Sequence, residues 1–85
     1  MNKVLYFTAS WCGPCKRVRP IVEEMISGGY NIQILDADTE LELINKYNIR
    51  SVPTFILLNN DSEIDRVTGA KTKEELQNFI NREII

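Results

Sequence analysis

The sequence predicts an α/β fold: a four-stranded mixed sheet with helices on both faces, in the order β-α-β-α-β-β-α. Two observations lead to this prediction. Short apolar runs of the length of buried strands alternate with stretches in which apolar residues recur at helical spacing. Turn residues, glycines and capping patterns separate these runs. Residues 1–85 are expected to form a single domain, since this length is near the lower limit for a domain that folds alone.

The first half of the chain predicts a strand, a helix and a second strand. Residues 4–8 are apolar and rich in strand-forming types, and residues 31–35 follow the same pattern. The helix between them is expected to begin at Cys12, to end at residues 27–29, which include two glycines, and to kink at Pro20. Its apolar face comprises Val18, Ile21, Val22, Met25 and Ile26. Because a helix joins the two strands, they are expected to be parallel, with a right-handed crossover.

The second half predicts two helices that flank a β-hairpin. Residues 39–42 have the spacing of a capping box, which predicts a helix there. The apolar side of that helix comprises Leu41, Ile44 and Tyr47. Residues 53–58 and 63–68 predict antiparallel strands, because a polar turn at residues 59–62 joins them. Residues 72–75 repeat the capping-box spacing and open the last helix. This helix is expected to bury Leu76, Phe79, Ile80 and Ile84.

Composition excludes several classes of function. With 44% hydrophobic and 26% charged residues the chain is not expected to be disordered. The net charge of −2, with scattered basic residues, argues against direct binding to nucleic acid. No segment approaches the ~18 apolar residues of a membrane span, and the start lacks the pattern of a signal peptide. We therefore expect no membrane association and a cytoplasmic location.

The residues that carry chemistry are Cys12 and Cys15, the two cysteines of the chain. Residues three apart on a helix lie on the same side, with roughly 5–6 Å between Cβ atoms, which is close to what a disulfide needs. The loop that such a bond closes is very short, so the bond adds little stability through chain entropy. A bond that forms readily and stabilises little suits a redox switch.

The position of this pair at the start of a helix favours a thiolate. Free N–H groups and the positive end of the helix macrodipole lie there. Pro14 fits the first helical turn, and Gly13 adds little bulk beside the first sulfur. Additional positive charge comes from Lys16, Arg17 and Arg19. Because the thiolate is the nucleophile of disulfide exchange, this placement predicts a reactive Cys12.

Two interpretations other than redox chemistry stay open for the pair. A zinc site would need two more ligands, and the chain has no further cysteine and no histidine. The absence of histidine also removes a Ser-His or Cys-His catalytic pair. The cysteines could instead be inert and buried, although Gly-Pro between them on a helix-opening turn argues against this. In a reducing cytosol a close cysteine pair is typically catalytic or metal-binding.

The run Trp-Cys-Gly-Pro-Cys-Lys at residues 11–16 resembles the active-site signature of the thioredoxin family. Pro20 is similar to the proline that kinks the family's active-site helix. Residues 49–54 resemble the segment that carries its cis-proline, and residues 67–70 its glycine-containing turn. The resemblance extends over essentially the whole chain, which looks like a short thioredoxin without the usual first strand and helix.

The resemblance implies a protein-disulfide reductase. Cys12 would attack a substrate disulfide, and Cys15 would then attack Cys12 to release the reduced substrate. The implied substrate-binding residues are Trp11, Gly13, Pro14, Val52, Pro53 and Gly69. The Val52 backbone would pair with an extended substrate segment, and the bond before Pro53 would be cis. A trans proline at the first position of a strand is the alternative for Pro53, and an exposed aromatic without a role is the alternative for Trp11.

The resemblance also implies partners rather than a bound cofactor. Electrons would come from NADPH through a separate thioredoxin reductase, and the other partners would be disulfide-containing proteins. No cofactor and no metal are expected, and the chain is expected to be a monomer.

Two positions depart from the family's pattern. Tyr6 stands where members usually have a buried aspartate, and Ile34 where a lysine often accompanies it. The acid thought to take the proton of the second cysteine is therefore absent. We hypothesise that Cys15 is deprotonated by water, by the leaving thiolate or with help from the Tyr6 hydroxyl; plain core packing is the alternative for Tyr6. Thr8, where the family often has tryptophan, indicates a less crowded approach to the disulfide.

Two other functions remain as alternatives. A glutaredoxin-like, glutathione-dependent reductase usually has Pro and Tyr between its cysteines, and a paired-glycine turn followed by an acidic residue. Residues 68–71 read Thr-Gly-Ala-Lys, which does not match that turn. The chain could also be a non-catalytic accessory subunit of a larger enzyme. An oxidase or isomerase is less expected, because Gly-Pro between the cysteines is typical of family members that act as reductants.

Overall fold

Four strands and three helices follow one another in the predicted order within residues 2–81, which are the residues that the computed structural model describes. The elements are β1 (Asn2–Thr8), α1 (Gly13–Ser27), β2 (Ile32–Asp36), α2 (Leu41–Lys46), β3 (Thr54–Asn59), β4 (Ser62–Thr68) and α3 (Lys73–Asn81). The strands form one mixed sheet in the order β2-β1-β3-β4. The β1–β2 pair is parallel, whereas the β1–β3 and β3–β4 pairs are antiparallel. The predicted fold class is confirmed.

The two faces of the sheet carry separate apolar cores, because successive side chains of a strand point to opposite faces. On one face Val4 and Tyr6 of β1 pack with buried residues of α1 and α3. On the other face Leu5 and Phe7 pack with residues of α2 and of the segment that follows it. Helices therefore cover both faces, as predicted. Within residues 2–81 no helix combines the length and the apolar character needed to cross a membrane.

The predicted apolar faces of the helices are confirmed in large part. In α1 the residues Val18, Val22 and Met25 are buried, and Ile21 packs against them. Ile26 is a correction, since 37% of it is exposed. In α3 the predicted Leu76 and Phe79 are buried and Ile80 packs beside them, while Ile84 lies outside the described residues.

The capping box predicted at the start of α3 is confirmed, and it is reciprocal. The Thr72 N–H donates to Glu75 Oε1 over 2.9 Å, and the Glu75 N–H donates to Thr72 Oγ1 over 3.1 Å. These bonds hold the pKa of the Glu75 carboxyl below its usual value. Two backbone donors at the helix start are thereby satisfied.

The capping box predicted at residues 39–42 is wrong. Helix α2 begins at Leu41, and its N-cap residue, Glu40, makes no side-chain capping bond. The Asp36 carboxylate accepts the Asp38 N–H over 2.8 Å, and the Thr39 hydroxyl donates to the Asp36 carbonyl over 3.4 Å. An aspartate side chain that accepts the N–H of the residue two positions later forms a local turn. The Thr39 hydroxyl is bonded within this turn and does not cap the helix. Of the apolar side predicted for this helix, Ile44 and Tyr47 pack against the core, whereas Leu41 is a correction, since 61% of it is exposed.

One edge of the sheet gathers the segments that form the site. Because β1 and β2 are parallel, the segments that follow Thr8 and Asp36 leave the sheet at the same edge. Strand β3 runs antiparallel to β1, so the segment that precedes Thr54 arrives at that edge. Strand β4 runs antiparallel to β3 and ends there with Thr68. This topology brings residues far apart in sequence together.

Candidate active site

Cys12 and Cys15 are joined by a disulfide, with 5.3 Å between their Cα atoms. Cys12 is the N-cap residue of α1, and its Sγ accepts the Cys15 N–H over 3.2 Å. Pro14 lies in the first helical turn, as predicted, where a missing N–H leaves no intrahelical bond unmade. An N–H that points at Sγ at a helix N-terminus stabilises negative charge on that sulfur. The spacing argument for a bond between the two residues is thus confirmed.

The two cysteines have different surroundings. Cys12 is 5% exposed, and its Sγ lies 3.6 Å from the Val52 carbonyl oxygen. Cys15 is 2% exposed and lies closer to the core, where the Tyr6 hydroxyl donates to its carbonyl oxygen. Cys12 therefore faces the loop that precedes β3, and Cys15 lies behind it.

The peptide bond between Val52 and Pro53 is cis, as the resemblance implied. The Pro53 carbonyl accepts the Gly69 N–H over 2.9 Å, which joins the segment after β4 to this loop. Gly69 has a φ of +89°, a conformation that side-chain-bearing residues rarely adopt. Val52 is half-buried and Pro53 is buried. Val52 is in direct contact with the cysteine pair, and Pro53 and Gly69 are joined to it through the chain and through their hydrogen bond.

Trp11 lies beside the disulfide with 69% of its side chain exposed. Its indole N–H donates to both carboxylate oxygens of Asp38, over 3.2 and 3.1 Å. A groove of about 200 Å³ runs between these side chains and the loop of Ile49, Arg50 and Val52. The sequence interpretation missed Asp38. The available signal was its place just after a strand parallel to β1, which puts it at the same edge as Trp11.

Tyr6 occupies the position under the disulfide where the family pattern has an acid. Its ring is fully buried and stacks on Phe55, with 4.8 Å between centroids and 9° between planes. Its hydroxyl donates to the Cys15 carbonyl oxygen over 3.4 Å. Burial raises the pKa of Tyr6 above its ordinary value, while a side-chain hydrogen bond with Thr8 and the charge of Arg19 act to lower it. This geometry favours the packing interpretation, because a neutral phenol that donates is a poor proton acceptor at neutral pH.

No group of three or more potential ligands among His, Cys, Asp and Glu is placed to hold a metal ion within the described part of the chain. The site contains the groups that disulfide exchange requires. A cysteine pair lies at the start of a helix, and the loop with the cis-proline lies beside Cys12 Sγ. Fold and site together define a thiol–disulfide oxidoreductase.

Comparison with known proteins identifies the family. The Thioredoxin family model matches residues 1–82. A thioredoxin from Bacillus subtilis is 35% identical over 81 residues, which cover 92% of this chain and 78% of the relative. The X-ray structure of Fasciola hepatica thioredoxin superposes with a TM-score of 0.86 at 32% identity, over 95% of this chain and 79% of that one. The chain belongs to the thioredoxin family.

A further relative has a different architecture. The bifunctional thioredoxin reductase/thioredoxin of Mycobacterium leprae is 41% identical over 73 residues, which cover 82% of this chain but 16% of the relative. The chain is thus similar to one part of a protein whose name also includes a reductase. With these relatives, the disulfide of the CxxC motif supports disulfide reductase activity for the chain.

Proposed function

We propose that Cys12 is the attacking thiol and Cys15 the resolving thiol in the reduction of protein disulfides. The observation that carries this assignment is the N-cap position of Cys12, whose Sγ accepts the Cys15 N–H. The same bond stabilises a Cys12 thiolate in the reduced protein. Cys12 Sγ also lies 3.6 Å from the carbonyl oxygen of Val52, a residue that lines the groove, whereas Cys15 lies closer to the core.

The proposed reaction has two exchange steps. The Cys12 thiolate attacks one sulfur of the substrate disulfide, which breaks that bond and releases the other sulfur as a thiolate. The Cys15 thiolate then attacks Cys12 Sγ, forms the Cys12–Cys15 disulfide and releases the second substrate sulfur. Two electrons pass to the substrate, and the two protons of the cysteines reach the substrate thiolates through solvent.

We further propose that an extended substrate segment lies across the groove and the residues that surround Cys12. Trp11, Gly13 and Pro14 are exposed and available to it, and the half-buried Val52 offers its backbone. Pro53 is buried, so its contribution is to hold the Val52 backbone. Gly69 supports the same loop through its bond to the Pro53 carbonyl.

The proposed electron source is NADPH, delivered through a separate thioredoxin reductase. The name of the Mycobacterium leprae relative, which joins a reductase and a thioredoxin, supports a reductase as a partner. The cytoplasm is the proposed location, because a reducing compartment keeps a close cysteine pair available as a dithiol.

The test is reduction of insulin disulfides with NADPH and a thioredoxin reductase. The parent protein is expected to consume NADPH with turnover, and Cys12→Ser is expected to abolish the reaction. Cys15→Ser is expected to retain the first step only and to accumulate a mixed disulfide between Cys12 and insulin. Turnover by Cys12→Ser would show that the nucleophile is wrongly assigned. Turnover with glutathione and glutathione reductase, but not with thioredoxin reductase, would favour the glutaredoxin-like alternative.

A further inference from the structure

A second opening reaches the disulfide from the Cys15 side. A cleft of about 440 Å³ lies between the start of α1 and the carboxyl ends of β1 and β2. Its lining includes Thr8, Cys15, Lys16, Arg19, Ile34 and Asp36. The groove beside Trp11 and Val52 has none of these described residues in its lining. Although Cys15 is only 2% exposed, it therefore borders a cleft that is separate from the groove in which substrate is proposed to bind.

The charged groups around this cleft include two cations on the helix that carries Cys15. Lys16 and Arg19 of α1 contribute two positive charges, and Asp36 of β2 contributes one negative charge. Arg19 also pairs with Glu23 over 3.3 Å at the exposed face of the helix. From β1 the Tyr6 hydroxyl donates to the Cys15 backbone carbonyl and not to its sulfur. None of these groups combines burial beside Cys15 with an acceptor suited to taking its proton at neutral pH.

Of the two cations, Arg19 lies on the same side of helix α1 as Cys15. Residues four apart on a helix lie on the same side, whereas adjacent residues such as Lys16 diverge by about 100° around the axis. The Arg19 charge also acts on the Tyr6 hydroxyl, which contacts Cys15 from within the core. Arg19 and Cys15 also line the same cleft, which is the geometric basis for an effect of the guanidinium on Cys15.

We propose that Cys15 releases its proton to water in this cleft, and that Arg19 stabilises the resulting thiolate for the second exchange step. Arg19 is thus a positioning residue for resolution, in a protein whose buried neighbour of Cys15 is a tyrosine. The inference rests on the proposed role of Cys15 as the resolving thiol. In this step the Cys15 proton passes to cleft water, the Cys15–Cys12 bond forms, and the bond between Cys12 and substrate breaks.

The electrostatic part is tested by titrating Cys15 in the full chain carrying Cys12→Ser, through the ultraviolet absorbance of the thiolate. Arg19→Gln is expected to raise the titration midpoint by about half a unit to one unit. Arg17→Gln is the matched control, since it removes the same charge from an exposed position of the same helix outside the cleft. It is expected to shift the midpoint much less, and Arg19→Lys is expected to restore most of the parent value.

A kinetic experiment measures the second exchange step directly. It uses the chain with both cysteines, in which Cys12 forms a mixed disulfide with a chromogenic aromatic thiol, and follows release of that thiol. Near neutral pH, Arg19→Gln is expected to slow release of this thiol by about 3- to 10-fold, following the smaller fraction of Cys15 thiolate. Above both titration midpoints the two rates are expected to converge. A purely structural role for Arg19 would slow release equally at every pH, and that result would overturn the proposal.

The route through the cleft is tested by alkylating Cys15 with iodoacetamide in the Cys12→Ser background, at a pH where the thiolate is fully formed. Ile34 is half-buried and lines the cleft, so Ile34→Phe is expected to slow alkylation several-fold. Ile34→Met, of similar volume, is expected to keep the parent rate. Equal rates in all three proteins would overturn the cleft route.

The electrostatic proposal is also wrong if Tyr6→Phe shifts the Cys15 midpoint as much as Arg19→Gln does. These titrations do not depend on which cysteine attacks substrate. The proposed function is contradicted by a different result, namely reduction of insulin by the Cys12→Ser variant.

Discussion

Asp38 is expected to hold Trp11 in the orientation that receives substrate, and Asp38→Ala tests this. The indole N–H donates to both carboxylate oxygens, at 3.1 and 3.2 Å, while 69% of the Trp11 side chain faces solvent. At such an exposed site the bond contributes about 0.5–1 kcal/mol, since water competes for both partners. With RT near 0.59 kcal/mol, this free energy favours the observed orientation by about 2- to 5-fold. We expect Asp38→Ala to lower kcat/KM for insulin by a similar factor, through a higher KM with kcat little changed.

The assay combines insulin reduction with fluorescence. Trp11 is the single tryptophan of the chain, so emission and anisotropy report on this side chain alone. Asp38→Ala is expected to lower the Trp11 anisotropy, and Asp38→Asn, which keeps one acceptor oxygen, is expected to give an intermediate value. Glu42→Gln is the control, because it removes one negative charge from the exposed first turn of neighbouring α2.

Two results would refute this reasoning. If Trp11 becomes more mobile in Asp38→Ala while kcat/KM stays the same, the orientation of the indole does not matter for substrate. If Glu42→Gln lowers kcat/KM as much as Asp38→Ala, the effect comes from charge near the site and not from the hydrogen bond.

Three further predictions concern the stability of the fold, each measured by denaturant unfolding. Phe55→Ala removes the ring stacked on Tyr6 and is expected to lower the unfolding free energy by about 3–5 kcal/mol. Thr72→Ala is expected to cost about 1 kcal/mol near neutral pH. The difference should narrow only in part in acid, because the variant loses the Thr72 side-chain contribution to the lowered pKa of Glu75 but keeps the larger contribution of the Thr72 backbone N–H. The parent is expected to lose stability as the pH rises above about 10, because Tyr6 ionises first in the unfolded state, and Tyr6→Phe should lose less.

The fold could be predicted because its signals are local or periodic. The alternation along β1 assigns Tyr6 and Phe7 to opposite faces, and both are fully buried as that pattern requires. The two capping-box patterns show where such signals stop. Both have the same spacing, but residues 72–75 form the box and residues 39–42 do not, because the Asp36 carboxylate bends the preceding backbone into a turn. Only the structure shows whether the capping residue or a preceding side chain binds the backbone at the start of the helix.

The site also has features that the local sequence predicts and features that only the structure reveals. Cys12 and Cys15 are three residues apart, so helix geometry was enough to predict their bond. The bond from Trp11 to Asp38 spans 27 residues and depends on the register of two parallel strands, which no local pattern reports. The cleft beside Cys15 likewise depends on how α1 lies against β2, and it became visible only in three dimensions.

If Cys12 and Cys15 have the proposed roles, the two openings would let a buried disulfide exchange both substrate and protons. Cys12 Sγ lies 3.6 Å from the carbonyl oxygen of Val52, which lines the groove of about 200 Å³, and Cys15 lines the cleft of about 440 Å³ together with Arg19. A substrate joined to Cys12 would cover the first opening and leave the second in contact with water. Cys15 could then lose its proton while the substrate is still bound to Cys12. A carboxylate beneath the disulfide is one way to remove that proton. With Tyr6 packed in that place, we propose that solvent in the cleft beside Cys15 and the charge of Arg19 provide another.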